Sequence, residues 1–86
     1  MSFPTVVTES VSLAAYLRSN ACILEKVELG EREGKPELLF SLNGMNARLY
    51  HSQWLSVNEK LPREAVAAFM SEALDLYRRT AGGASR

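Results

Sequence analysis

Residue types with intrinsic chemistry are scarce in this chain. Its 86 residues include one cysteine, one histidine and one tryptophan, with three prolines and five glycines. A single cysteine excludes an intramolecular disulfide, and a reducing, cytoplasmic setting is the expectation. One cysteine and one histidine cannot build a zinc site within one copy, so no metal and no cofactor is expected. No hydrophobic run approaches the roughly 18 apolar residues of a membrane-spanning helix, so no membrane partner is expected. The opening Met-Ser-Phe-Pro-Thr has neither the basic nor the apolar region of a secretory signal. Net charge is missing as well. Ten basic and ten acidic side chains cancel, which removes the cation excess behind non-specific binding to nucleic acid or anionic lipid.

What is present is ordinary globular composition, 47% hydrophobic and 23% charged. The length fits one domain, and a chain this short buries roughly 60–65% of its unfolded surface, enough for one core with little margin. The expected domain covers residues 5–79. Loose ends are expected at 1–4, where only Phe3 can pack, and at 80–86, where Gly82-Gly83 break the helical pattern.

Hydrophobic spacing sets the expected elements. Leu13, Ala14 and Leu17 share one helical face over Glu9 to Ser19, with Thr8 as the N-cap and Glu9 in the first turn. Asn20 tolerates the left-handed conformation and reverses the chain. Ala21 to Leu29 reads as a strand with Ile23, Val27 and Leu29 inward and Glu25 breaking that face, so that Glu25 calls for a partner such as Arg18 or Arg48. Gly30 to Pro36 is turn-like, and Glu37 to Asn43 returns with Leu38, Phe40 and Leu42 inward. A short helix follows to about Gln53; a short third strand at 53–57, through Leu55 and Val57, is the alternative. From Pro62, Val66, Phe69, Met70, Ala73, Leu74 and Tyr77 form an amphipathic stripe. The expected fold class is α+β: a small two-layer domain of order α-β-β-α-α, with an antiparallel hairpin covered by helices.

The run Thr8-Glu9-Ser10-Val11-Ser12-Leu13-Ala14-Ala15-Tyr16-Leu17 precedes Asn20 and a strand with Leu24 and Val27. Phe40, Leu49-Tyr50, Leu55-x-Val57-Asn58 and Leu76-Tyr77 then follow in order. Taken together, residues 5–79 resemble a family of short bacterial and phage-associated domains of unknown function. The chain departs from that pattern at Ser10, where an acidic residue is usual, and at Asn20, where glycine is usual. The resemblance carries over no catalytic residue.

Catalysis finds little footing. A Ser–His–Asp arrangement would need His51, a serine such as Ser52 and a carboxylate such as Asp75 to converge. Neighbours on a helix point about 100° apart, so Ser52 and His51 do not face each other. Cys22 lies among Ala21, Ile23 and Leu24, the setting of a buried and inert thiol. Glu25, Glu28, Glu31, Glu33 and Glu37 alternate with Lys26, Arg32 and Lys35, which describes a solvated hairpin. No glycine pair sits in the strand–loop–helix context of a phosphate site. No catalytic residue is assigned, and the chain is not expected to be an enzyme.

Charge is uneven along the chain. Residues 1–43 hold six acids and four bases, whereas residues 44–86 hold four acids and six bases. Arg48, Arg63, Arg78 and Arg79, with Lys60 and Arg86, are therefore the candidate nucleic-acid face, near Tyr50, Trp54 and Tyr77. The favoured expectation is a protein partner or a second copy of the chain, met through an unpaired hairpin edge or through Tyr50, Trp54, Leu39 and Leu55. An inhibitor of a host protein, carried by a phage or mobile element, is one form this takes if size and the resemblance are followed.

Overall fold

The structure is a computed structural model and describes residues 3–57 and 61–84. Six elements follow in order: β1 (Thr5–Thr8), α1 (Val11–Ser19), β2 (Ile23–Arg32), β3 (Lys35–Asn43), α2 (Ala47–Val57) and α3 (Arg63–Ala84). The three strands form one antiparallel sheet of order β1-β3-β2, with β3 central. This is the expected α+β domain with its hairpin. It has one more strand than the expected order, and that strand lies at the N-terminus: Gln53 to Val57 belong to α2. The pattern in β1 is four residues long, too short to stand out, and its alternation of exposed and buried residues depends on β3 beside it. Pro4 extends the pairing, its carbonyl accepting from the Gly44 N–H at 3.2 Å, so the chain is held from before Thr5.

Two rows of side chains cross the inner face of the sheet. Val6, Leu42 and Leu24 make one, and Thr8, Phe40 and Val27 the other. Leu13, Ala14 and Leu17 of α1, Ala47 of α2 and Phe69 and Ala73 of α3 cover them. Phe40 meets Phe69 edge-on, with ring centroids 5.3 Å apart. The Arg18 Nε donates to Glu72 at 3.1 Å and ties α1 to α3 on the surface.

Both ends of α1 differ from the expected caps. Ser10, not Thr8, is the N-cap; its hydroxyl accepts from the Leu13 N–H, while the Thr8 hydroxyl accepts from the Ser10 N–H. Thr8 is claimed by β1, which moves Glu9 out of the first turn. At the other end Asn20 keeps a negative φ and Ala21 takes the left-handed conformation, with φ of 67°. The Cys22 N–H reaches the Leu17 carbonyl at 3.1 Å, the closing bond of a Schellman motif, and buries Cys22 against Leu17.

The β2–β3 turn is tighter than composition suggests. Arg32 pairs with Lys35, leaving only Glu33 and Gly34, both at positive φ (53° and 78°), the requirement of a type I′ hairpin. A bulge at Glu25 interrupts β2: Leu24 faces Leu42, but Lys26 faces Ser41. The extra residue shifts the pleat, so Leu24 is buried and Ile23 exposed, the reverse of the expected placement; Leu29 shares the inner side with the buried Val27 as expected, yet is exposed toward the hairpin end. Glu25 itself is exposed and accepts from the Asn43 Nδ2 at 3.0 Å, which removes any need for Arg18 or Arg48. Finally, α3 runs through Ala84, past the glycines expected to end it. Once a helix is nucleated each residue adds a bond, and glycine's penalty of about 1 kcal/mol does not by itself stop it.

Candidate interaction surface

Groups that could carry chemistry stand apart. Cys22 is fully buried, and desolvation raises its thiol above the ordinary range, the opposite of what a nucleophile needs. His51 is half-buried on α2 beside an exposed Ser52. Asp75 forms an ion pair with Arg79 one turn along α3, at 3.3 Å. A shallow cleft beside Cys22, lined by Asn20, Gly44, Asn46 and Tyr50 among others, offers amides and a phenol but no nucleophile–base pair. Among the described residues, no group of three His, Cys, Asp or Glu side chains is placed to hold a metal ion. No helix among them is long and apolar enough to cross a membrane.

The four residues expected at a partner surface do not form one surface. Tyr50 and Trp54 pack under α2 against Tyr16 of α1, with centroid distances of 6.4 and 5.1 Å, and are half-buried. Ala47, Tyr50 and Trp54 make the inward stripe of α2, so the aromatics seal the core edge. Leu55 lies on an outward flank of the same helix and is 75% exposed. Leu39 is on β3 facing away from the helices, and its side chain leans over Gly30.

That second face of the sheet is what sequence alternation missed. All three helices contribute to the core on the inner face. The outer face carries Thr5, Asn43 and Ile23 in one row, then Val7, Ser41 and Lys26, then Leu39 beside Glu28. Val7 and Ile23 are 58% and 62% exposed, whereas Ser41 between Val7 and Lys26 is buried by its neighbours. The signal for Ile23 was hidden because one bulged residue inverts its side. Beside this face runs the free edge of β2, the longest strand, with Lys26 and Glu28 paired at 3.3 Å along it. Arg32 reaches Glu9 at 3.2 Å from the end of the hairpin.

The candidate nucleic-acid residues are dispersed. Arg63 opens α3 and Arg78 lies fifteen residues later, about 23 Å along the axis at 1.5 Å per residue. Arg79 is engaged by Asp75, and Arg48 is exposed on α2. Lys60 and Arg86 of the same set lie outside the described residues. Comparison with known proteins returned no matching family model, no matching curated protein and no matching solved structure.

Proposed function

We propose that this chain is a small, non-enzymatic protein–protein interaction module of the cytoplasm, binding through the helix-free face of its sheet and the adjoining β2 edge. The observation that carries the reading is the pair of β-branched side chains, Val7 and Ile23, left exposed on a face that no helix among the described residues covers. An antiparallel sheet with one face in water normally alternates cleanly to polar residues there. Here each strand presents an aliphatic group instead, exposed at Val7 and Ile23 and half-buried at Leu39, beside the regular edge of β2 from Lys26 to Arg32. The scattered arginines give the nucleic-acid alternative less support, because phosphate binding needs cations gathered along one track.

The test is capture from native host extract with the tagged chain, comparing the wild type with Ile23→Lys and Val7→Lys. Both positions are exposed, so both variants keep the wild-type circular dichroism spectrum and unfold within about 0.5 kcal/mol of it. The expected result is a protein partner that the wild type retains and the variants lose. Nucleic acid in the eluate with no protein, or a partner other than a second copy of the chain held equally by all three, refutes the reading.

A further inference from the structure

Beyond the bulge the pleat of β2 is regular, Lys26 through Arg32 facing Ser41 through Lys35 one by one. This arm outruns β1, whose pairing with β3 stops at Thr8 and Phe40. The two-residue turn makes Arg32 and Lys35 the hydrogen-bonded pair that closes the hairpin. Counting back from it, Leu29 and Glu31 turn their N–H and C=O groups away from β3, toward the free edge. Pro36, which has no N–H to offer, sits opposite Glu31 where β2 asks for none.

We infer that this edge pairs with the same edge of a second copy, antiparallel about a two-fold axis through Gly30, with Leu29 exchanging backbone hydrogen bonds with Glu31 of the second copy. The inference rests on the interaction-module reading and names its partner. Charge complementarity selects the register. A two-fold antiparallel pairing sets each residue opposite one on the same face, which leaves only registers centred on a residue. Centring on Val27 puts Lys26 opposite Glu28 but brings the bulged Glu25 into the ladder at the next step. Centring on Glu28 or on Glu31 sets identical carboxylates face to face. Centring on Leu29 opposes Lys26 and Arg32, twice by symmetry. Only the Gly30 register opposes Glu28 and Arg32, twice by symmetry, clear of the bulge and free of like-charged pairs.

The axis is also packed. A Cβ on Gly30 would lie 3.1 Å from the Leu39 Cδ1, so Leu39 fills the space above the glycine. With two glycines facing each other, the two Leu39 side chains meet across the axis on the outer face. They form an apolar centre flanked by the two Glu28–Arg32 pairs. Arg32 gives up only an exposed contact with Glu9, of a kind that contributes little.

Sedimentation equilibrium over a wide concentration range, with Glu28→Arg and Arg32→Glu, tests the proposal. The expected result is a reversible dimer that each single variant weakens about tenfold or more. An equimolar mixture of the two variants regains it, because only the mixed dimer sets every arginine opposite a glutamate. Glu9→Gln, which removes the internal partner of Arg32, keeps or tightens association. Circular dichroism verifies that these exposed-site variants fold. A wild type that stays monomeric at its highest soluble concentration overturns the proposal, as does a mixture that stays monomeric or a dimer that both single variants retain. If self-pairing fails while capture from extract still depends on Ile23, the partner is wrong and the module reading stands; loss of both sinks both.

Discussion

Truncating Phe40 to alanine removes the largest fully buried side chain among the described residues, from the central strand. Its neighbours across the sheet are Thr8 and Val27, and its ring lies edge-on to Phe69 of α3. An aromatic side chain buries about 150–250 Å2, which at about 25 cal/mol per Å2 amounts to roughly 4–6 kcal/mol as an upper bound. Buried Phe→Ala replacements lose about 3–5 kcal/mol once the residual methyl and partial collapse are included. A chain of this length holds only about 4–13 kcal/mol in total, so Phe40→Ala is expected to lose about 4 kcal/mol and to sit near the folding threshold. Urea unfolding, followed by circular dichroism and by Trp54 fluorescence, measures it; coincident transitions establish two-state behaviour. A milder cycle of Phe40→Leu, Phe69→Leu and the double variant isolates the ring pair, with an expected coupling of about 0.5–1.5 kcal/mol. Phe3→Ala, at a half-exposed position, serves as the contrast and costs less than about 1 kcal/mol. A Phe40→Ala loss below about 1.5 kcal/mol, or no coupling to Phe69, refutes the argument that the helices close over this side chain.

Two further outcomes follow from particular conformations. Glu33 holds a left-handed φ beside Gly34, so Glu33→Asn, which creates the Asn-Gly sequence preferred by this turn, is expected to stabilise the fold by about 0.5–1 kcal/mol in urea unfolding; a destabilisation contradicts the turn assignment. For Cys22, burial raises the folded thiol above its unfolded value, so the folded state holds that proton more tightly. The associated stability is intact below about pH 8 and is lost as pH rises through the unfolded and then the raised folded value. The unfolding free energy of the wild type is therefore expected to fall relative to Cys22→Ala on the alkaline side. A difference between the two proteins that is constant from neutral to alkaline pH refutes this.

Elements with a long, uninterrupted period are legible in the sequence. The stripe from Val66 to Tyr77 places Phe69 and Ala73 in the core, and the even positions Phe40 and Leu42 of β3 turn inward as spacing implies. Illegible features were those decided by one residue or by a distant neighbour. β1 has four residues and acquires its alternation only from β3, which pairs Thr5 with Asn43 and Thr8 with Phe40, far along the chain. Thr8 is an acceptable cap by type, but β1 claims it and the role passes to Ser10. Tyr50 and Trp54 look like interface residues by composition, yet Tyr16 supplies the partner that takes them inward. Aromatics near a small core are ambiguous in this way, because the same area that suits an interface is needed to close the fold.

The candidate surface turns on Glu25. Read with strict alternation, β2 buries Ile23 and Leu29 and leaves Leu24 out, and the outer face of the sheet then looks polar and idle. One bulged residue inverts that half of the strand: Leu24 joins Val6 and Leu42 inside, and Ile23 moves out beside Asn43. A bulge also twists an edge and discourages pairing where it lies. It therefore divides β2 into two parts with different prospects. The part before Lys26 is closed to strand addition and contributes a side chain, Ile23, to a face. From Lys26 onward the pleat is regular, and the strand can offer its backbone as well as its charges. Deletion of Glu25 would leave Leu24 opposite Leu42 and Lys26 opposite Ser41 in a regular ladder, so Leu24 stays in the core and Ile23 stays on the outer face. Glu25 thus hides the exposed face from a reading of strict alternation, and what it supplies to the fold is the local twist that confines strand addition to the stretch from Lys26 to Arg32.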